Sequence, residues 1–167
     1  LTVAVNNDGK KRLCINLSRS LYKYAKTRKF KIRSHKEVAE MVEEGDYGFG
    51  FNRRSYYHQV PIHKDSQNLL CFKIKKDGSW EYYMFKMLPF GFNDACRCVN
   101  KMMRSLLARW RNWGARVAEI HIDDSILFVG GKERAIELSR RVRKDLQDYG
   151  LLISEDKCSW GARRRIR

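Results

Sequence analysis

Two adjacent carboxylates, Asp123 and Asp124, lie between two short apolar segments. Apolar residues recur at every second position on both sides, at Ile120, Ile122, Ile126 and Phe128. This period of two predicts a hairpin of half-buried strands with the carboxylates at its turn. Neighbouring carboxylates repel each other, and burying one unpaired is costly, so the pair requires a counter-charge such as a divalent cation. A solvated Asp-Asp-Ser turn is the alternative, because both residue types favour turns.

The chain carries a formal net charge of +16, from 35 Lys and Arg against 19 Asp and Glu. Such an excess predicts a polyanionic partner, and nucleic acid (RNA or single-stranded DNA, bound with little sequence specificity) is the favoured one. A membrane surface is disfavoured because no segment combines a basic face with a wide apolar face. No apolar run reaches the length of a membrane span, and no signal-peptide pattern is present.

The 167 residues, 43% of them hydrophobic, suit one domain with a substantial core. The cysteine count is odd and no C-x-x-C motif occurs, which predicts reduced thiols in an intracellular protein. No histidine pairs with a cysteine at a zinc-like spacing, so no zinc site is expected.

Helix caps, turn-forming residues and the spacing of apolar residues predict the order of the secondary-structure elements. A strand is expected at 11–17, and a capping box at Ser34–Glu37 begins a helix of two or three turns that stops at Gly45. A hairpin around Asp77-Gly78 is next, followed by two amphipathic helices over 93–113 and 132–149, with the carboxylate hairpin between them. This order predicts an α+β domain in which helices pack on one face of an antiparallel sheet.

Basic side chains gather on one face of the last predicted helix and in the C-terminal tail. These are the candidate nucleic-acid-binding residues: Arg134, Arg140, Arg141, Arg143, Lys144, Arg163, Arg164 and Arg165. A solvated surface is the alternative reading of such a face, although solubility alone rarely requires so one-sided a charge.

Several short segments occur in an order typical of one protein family: Arg12–Leu17, Gly45–Tyr47, Ser55–Val60, Leu88–Phe92, Ile122–Asp124 and Leu146–Lys157. In these segments the chain resembles the fingers and palm of a reverse transcriptase, most closely those of DIRS and gypsy retrotransposons. The resemblance implies a single fingers–palm domain. Residues 1–50 and 61–87 are then fingers-like, 51–60 and 88–160 palm-like, and 161–167 a basic tail, and the resemblance ends before a thumb or nuclease region.

The same resemblance implies roles for individual residues. Asp123 and Asp124 correspond to the tandem palm carboxylates that hold two magnesium ions, which would activate the primer hydroxyl and neutralise the departing pyrophosphate. Arg12 corresponds to a fingers arginine that meets the triphosphate, and Tyr57 to an aromatic residue under the incoming sugar. Pro89, Phe90 and Gly91 correspond to the segment beneath the nascent base pair. The alternatives are a surface charge for Arg12, core packing for Tyr57, and a purely structural role in a loop for Pro89 and Gly91.

The departures from the family pattern point away from catalysis. Asn52 stands where the family has its first catalytic aspartate, and an amide offers one neutral oxygen that cannot bridge two cations. Asn16 stands for an aspartate, Tyr22 for an asparagine and His121 for an aromatic residue.

Three hypotheses follow from these residues. The preferred one is a reverse-transcriptase-like domain that has lost most or all polymerase chemistry and is retained as a basic module for nucleic-acid binding or protein interaction. The second is an active RNA-directed DNA polymerase that uses magnesium. The third is a structural scaffold for a protein partner, which would use Trp110, Trp113 and Trp160 as docking aromatics, although core packing is the favoured interpretation of these three residues.

Overall fold

The computed structural model describes residues 1–5, 9–18, 20–24 and 28–164, so the predicted binding residue Arg165 lies outside the described part. The chain forms two compact units. The first comprises residues 1–29 and 57–99, and the second comprises residues 30–56 and 100–167. Within the described residues, no helix is both long and apolar enough to cross a membrane.

Eight strands and four α-helices are described. The strands are β1 (Thr2–Val5), β2 (Lys11–Cys14), β3 (Asp46–Asn52), β4 (Cys71–Lys76), β5 (Ser79–Met84), β6 (Val117–His121), β7 (Asp124–Gly130) and β8 (Ser159–Arg163). The helices are α1 (His35–Ala39), α2 (Lys64–Gln67), α3 (Ala95–Asn112) and α4 (Lys132–Asp148). Strands β6, β7, β3 and β8 form, in that order, the antiparallel sheet of the second unit.

The register between β3 and β7 decides which side chains share a face of this sheet. Phe51 pairs with Ser125 and Asn52 pairs with Asp124, and successive residues of a strand point to opposite faces. The buried Phe51 ring packs edge-on against Trp110 of α3, with ring centroids 5.7 Å apart. Asn52 and Asp124 therefore point away from that helix.

A buried carboxylate joins the two long helices on the Phe51 side of the sheet. Asp145 of α4 accepts a hydrogen bond of 2.7 Å from Trp110 Nε1 and one of 2.8 Å from Arg109 Nη1. The ring of Trp110 is fully buried, so its N–H has no access to water and depends on this acceptor.

The short helix α1 covers part of the opposite face. The capping box is present: Ser34 accepts from the Glu37 N–H, and the Glu37 carboxylate accepts from the Ser34 N–H. Val38 packs with Val117 and Phe128, whose side chains share the Asn52 face because Phe128 is paired with Gly48. On β3 this face carries Gly48 and Gly50, which have no side chain, between Asp46 and Asn52.

The first unit is built from two hairpins and a bridging segment. Strands β1 and β2 pair with each other, and β4 and β5 pair around the Asp77-Gly78 turn, where both residues have positive φ. The N–H of Ile15 donates to the Phe90 carbonyl at 2.9 Å. Gly91 lies so close to Ile15 that an added Cβ would come within 2.1 Å of the Ile15 carbonyl oxygen.

The predicted α+β class, with helices packed on an antiparallel sheet, is confirmed, as are the two hairpins and the two long helices within two residues at each end. Three details differ. Helix α1 has five residues and lies on the other face of the sheet, and β1 pairs with β2, which covers Lys11–Cys14 of the predicted strand at 11–17. Strand β8 (Ser159–Arg163) crosses the predicted boundary between the palm-like range and the basic tail. Strand β8 forms because it pairs with the otherwise open edge of β3.

Substitution Asp145→Ala should lower the free energy of unfolding by about 2–3 kcal/mol, because it leaves a buried indole N–H without an acceptor. Urea denaturation followed by far-UV circular dichroism measures the change. Asp148→Ala, at an exposed position of the same helix, should change stability by less than about 0.5 kcal/mol. Equal effects of the two substitutions would contradict the role given to Asp145.

Substitution Gly91→Ala should be more destabilising than Gly78→Ala. Both glycines have φ near +90°, at 90° and 86°, so both substitutions incur about 1–2 kcal/mol of backbone strain. Only at Gly91 does the added methyl group collide with a backbone oxygen, which adds about 1–3 kcal/mol. The difference between the two urea midpoints isolates the collision, and identical midpoints would show that the segment shifts freely.

Candidate active site

The two adjacent carboxylates lie where the hairpin of β6 and β7 turns. Ile122 has φ of 56° and Asp123 follows it, so these two residues form the turn, while Asp124 is the first residue of β7. Asp124 is paired with His121 on one side and with Asn52 on the other. The three side chains form a row across three strands on one face of the sheet.

Asn52 is tied directly to one of the carboxylates. It is 8% exposed, and its Nδ2 donates a hydrogen bond of 2.7 Å to Asp124 Oδ1. The amide thus satisfies one oxygen of Asp124 with a neutral donor. At this position an aspartate would place a second negative charge against the first, which only a cation or a proton could compensate.

Arg53, which the sequence analysis did not single out, holds the turn from behind. Its backbone N–H donates to the Asp123 carbonyl at 3.0 Å, and its Nη2 donates to the Ile122 carbonyl at 2.6 Å. The side chain is 3% exposed and lies over the ring of Tyr56, 4.5 Å from the centroid. A buried arginine beside a positive-φ turn has no signature in sequence, because surface arginines look the same.

The residues around Asp124 do not fit a pair of divalent cations. They supply two carboxylates and an amide whose donor group, rather than its oxygen, faces Asp124. Nor does the part of the chain that the structure describes contain a group of three or more His, Cys, Asp or Glu side chains able to hold a metal ion. The thiol of Cys158 points at the Asn52 carbonyl, and burial raises its pKa, which keeps it protonated and a poor ligand.

The other departures from the family pattern have local partners. The His121 ring packs against His35 of α1, with centroids 4.6 Å apart. Asn16 Oδ1 accepts hydrogen bonds from the N–H and the hydroxyl of Ser18, which makes Asn16 a turn residue. Neither contact involves the Asp123–Asp124 pair.

In the first unit, the predicted nucleotide-binding residues gather around one aromatic ring. The Arg12 guanidinium carbon lies 5.3 Å from the centroid of Phe90, and the Tyr57 ring meets Phe90 edge-on at 5.2 Å. His58 contacts the same ring at 5.1 Å, and burial lowers its pKa. Arg12 is exposed, so its charged end remains accessible to an anion.

The segment that carries Phe90 is held by Tyr22. The Tyr22 hydroxyl donates to the Gly91 carbonyl at 2.6 Å and accepts from the Asn93 N–H at 2.7 Å. Burial raises the pKa of Tyr22, so the hydroxyl keeps the proton that it donates. Pro89, in the same segment, is buried. The Tyr22 hydroxyl thus bridges the two ends of this segment through backbone groups.

The predicted basic residues fall into two groups. Arg134, Arg140, Arg141 and Lys144 are exposed on α4 and, among the described residues, take part in no ion pair. Arg143 instead forms an ion pair of 2.7 Å with Glu155, and Arg164 lies over the ring of Tyr47. Arg163 ends β8 with its side chain exposed.

A second basic and aromatic surface, missed in the sequence, lies on the hairpin of β4 and β5. Cross-strand pairing places Lys73 beside Tyr82 and Lys75 beside Trp80 on one face. The Trp80 and Tyr82 rings are 54% and 77% exposed, and Lys73 Nζ lies 4.5 Å from the centroid of Trp80. The signal was present, since lysines alternate in one strand and aromatics in the next.

Comparisons with known proteins show the family and the fold that the chain shares. Residues 4–166 match the family model described as reverse transcriptase (RNA-dependent DNA polymerase). Similar solved structures include the foamy viral protease-reverse transcriptase in complex with dsDNA, with a TM-score of 0.78, 18% identity, and coverage of 99% of this chain and 32% of that one. The native prototype foamy virus protease-reverse transcriptase superposes with a TM-score of 0.70 at 20% identity, over 94% of this chain and 20% of that one.

The comparisons also set the scale of the relationship. The chain spans between a fifth and a third of the length of these structures. A comparison with curated protein sequences finds no significant match. Because the family model covers nearly all of the sequence and the same fold recurs in the solved enzymes, this chain belongs to the reverse transcriptase family.

Proposed function

We propose that this chain is a reverse-transcriptase-like domain that has lost most or all polymerase chemistry and acts as a basic nucleic-acid-binding module. The observation that carries the proposal is the hydrogen bond from the Asn52 amide to Asp124, at a position that requires a third carboxylate if two magnesium ions are to be held. A retrotransposon origin of the DIRS or gypsy kind is part of the same proposal.

The size of the electrostatic deficit supports the loss of activity. Two unit charges 4 Å apart interact by about 4 kcal/mol at an effective dielectric of about 20, and a bridging carboxylate faces two dications. Each loss of about 1.4 kcal/mol in transition-state stabilisation slows a reaction about tenfold. An amide at position 52 therefore accounts for a loss of at least about three orders of magnitude in rate.

Two surfaces support nucleic-acid binding. Helix α4 presents exposed cations, of which Arg134, Arg140, Arg141 and Lys144 form no ion pair with the described residues. The hairpin of β4 and β5 presents lysines beside exposed aromatic rings. Cations neutralise phosphates while aromatic rings stack on unpaired bases, a combination suited to single strands. Foamy viral relatives of this fold have been solved with dsDNA, which favours a duplex as a further ligand.

The second candidate is an active polymerase. The gathering of Arg12 and Tyr57 around Phe90 favours it, because these residues would contact the triphosphate and sugar of an incoming nucleotide. The protein-docking scaffold is the third candidate, and the burial of Trp110 in the core removes one of the three aromatics on which it was based.

Primer extension on a primed RNA template separates the first two candidates. The natural chain should incorporate no measurable deoxynucleotide with magnesium or manganese, whereas Asn52→Asp should gain incorporation by at least about a thousandfold because it restores the missing charge. Robust incorporation by the natural chain would refute the loss of polymerase chemistry.

A stability measurement provides the control for this experiment. In a chelator, Asn52→Asp should melt at a lower temperature than the natural chain, since two carboxylates replace a hydrogen bond of 2.7 Å. Magnesium at millimolar concentration should restore its stability and leave the natural chain unchanged. Asn68→Asp, an equal charge change at an exposed site, should show no dependence on magnesium. A magnesium response in the natural chain would favour the active polymerase.

Binding to a short single-stranded RNA should weaken as salt rises, with a slope in log–log coordinates of about −0.7 per phosphate neutralised. The double substitution Arg140→Ala, Lys144→Ala should make this slope shallower by about 1.4, because it removes two cations. Lys31→Ala removes a cation that is ion-paired with Glu37, and it should leave the slope nearly unchanged. Fluorescence anisotropy gives the affinities, and undetectable binding at low salt would leave the scaffold as the remaining candidate.

A further inference from the structure

A cavity of about 320 Å³ opens in the second unit, between the end of α3 and the first half of α4. Its apolar floor is formed by Val129 and Leu138, which are 5% and 4% exposed. Its size is at the lower end of the range for small-ligand pockets, about 300–1,000 Å³. Val129 is five residues along β7 from Asp124, about 16 Å away at the rise of a strand, so this cavity is separate from the carboxylate hairpin.

One wall of the cavity is a stack of an indole and a guanidinium. The guanidinium carbon of Arg141 lies 4.3 Å from the centroid of Trp113, and both residues line the cavity. Trp113 is half-buried, and among the described residues its indole N–H donates to no acceptor. Both groups can receive a base, because bases stack on indole rings and on guanidinium planes alike.

The rim of the cavity combines two cations with one carboxylate. Arg134 and Arg141 precede and follow Glu137 by three and four residues on α4, so the three side chains share a face of the helix. Glu137 is exposed and, within the described part of the chain, forms no ion pair. Phosphates suit the arginines, and the carboxylate suits a group that donates hydrogen bonds rather than a second anion.

The chemistry of the bases narrows the ligand further. Guanine presents two adjacent N–H donors on its Watson–Crick edge, which match the two oxygens of a carboxylate. Uracil presents a single N–H flanked by two carbonyl oxygens, which a carboxylate repels. An acidic peptide would place its own carboxylates beside Glu137, so the rim disfavours it.

From this we infer that the Trp113 cavity binds an unpaired guanine of a single-stranded nucleic acid. The base lies against the Trp113–Arg141 stack, its donor edge meets Glu137, and Arg134 neutralises an adjacent phosphate. This inference rests on the proposed nucleic-acid-binding function and adds to it a preference among bases.

Titration with mononucleotides tests the cavity directly. In a ¹H–¹⁵N spectrum, GMP should shift the Trp113 indole resonance, assigned through Trp113→Phe, and UMP should shift it at concentrations about tenfold higher, as expected for one bidentate base contact. An unmoved Trp113 resonance at saturating GMP would overturn the inference. So would a shift produced by a peptide of glutamate and leucine but not by GMP, which would make the cavity a peptide site.

Anisotropy with oligonucleotides separates this inference from the proposed function. A uridine 12-mer with one central guanosine should bind about tenfold more tightly than the all-uridine 12-mer. Glu137→Gln should abolish the difference, and Arg134→Ala should weaken the binding of both oligonucleotides. Arg140→Ala, the same charge change on α4 outside the cavity, should weaken both equally and keep the guanosine preference.

The outcomes are distinct. If both oligonucleotides bind in a salt-dependent way without a guanosine preference, the assignment of the cavity as a guanine site is overturned. The proposed nucleic-acid-binding function then remains intact. If neither oligonucleotide binds at low salt, the proposed function fails, and the inference fails with it. Both Glu137 and Arg134 have exposed side chains, so these variants keep the fold and the comparison remains valid.

Discussion

The antiparallel pairing of β3 with β7 is the constraint on which the second unit depends. It fixes a register of seven residue pairs, from Asp46 with Gly130 to Asn52 with Asp124. A slip of one residue would turn every side chain of the slipped strand to the opposite face of the sheet. The polar side chain at its end, Asn52 or Asp124, would then face the core. Because Phe51 must face Trp110, Asn52 must face away from α3 and α4, and it meets Asp124 there.

Where Asn52 meets Asp124, one side-chain atom decides whether the site needs a counter-charge. An amide nitrogen donates a hydrogen bond to Asp124, whereas a carboxylate oxygen would repel it. A carboxylate at position 52 would need a bound cation or a proton to offset its repulsion from Asp124, whereas the amide is stable there without either. The hydrogen bond from Asn52 to Asp124 therefore stabilises this end of the sheet without a bound cation. Arg53 contributes to the same result by holding the turn through two backbone carbonyls. The exposed cations of α4 lie on the opposite side of the sheet, so they do not depend on which residue occupies position 52.

The sequence was sufficient for the elements whose signals are local. The capping box at Ser34, the Asp77-Gly78 turn and the apolar stripes of α3 and α4 each predicted a structure that is present. It was insufficient wherever a partner distant in the chain decides the outcome. Strand β8 depends on the free edge of β3, and the burial of Arg53 depends on a turn about seventy residues later. Position 52 was identified from the family pattern, but its bond to Asp124 required the register.

The hydrogen bonds of the Tyr22 hydroxyl have a consequence for the evolution of the chain. The hydroxyl bridges Gly91 and Asn93 and so fixes the curvature of a loop without any contribution from a bound nucleotide. The loop therefore does not need a bound nucleotide to keep its shape. A substitution that removes the Tyr22 hydroxyl would distort this loop in an active and in an inactive domain alike, so selection on its shape is independent of catalysis.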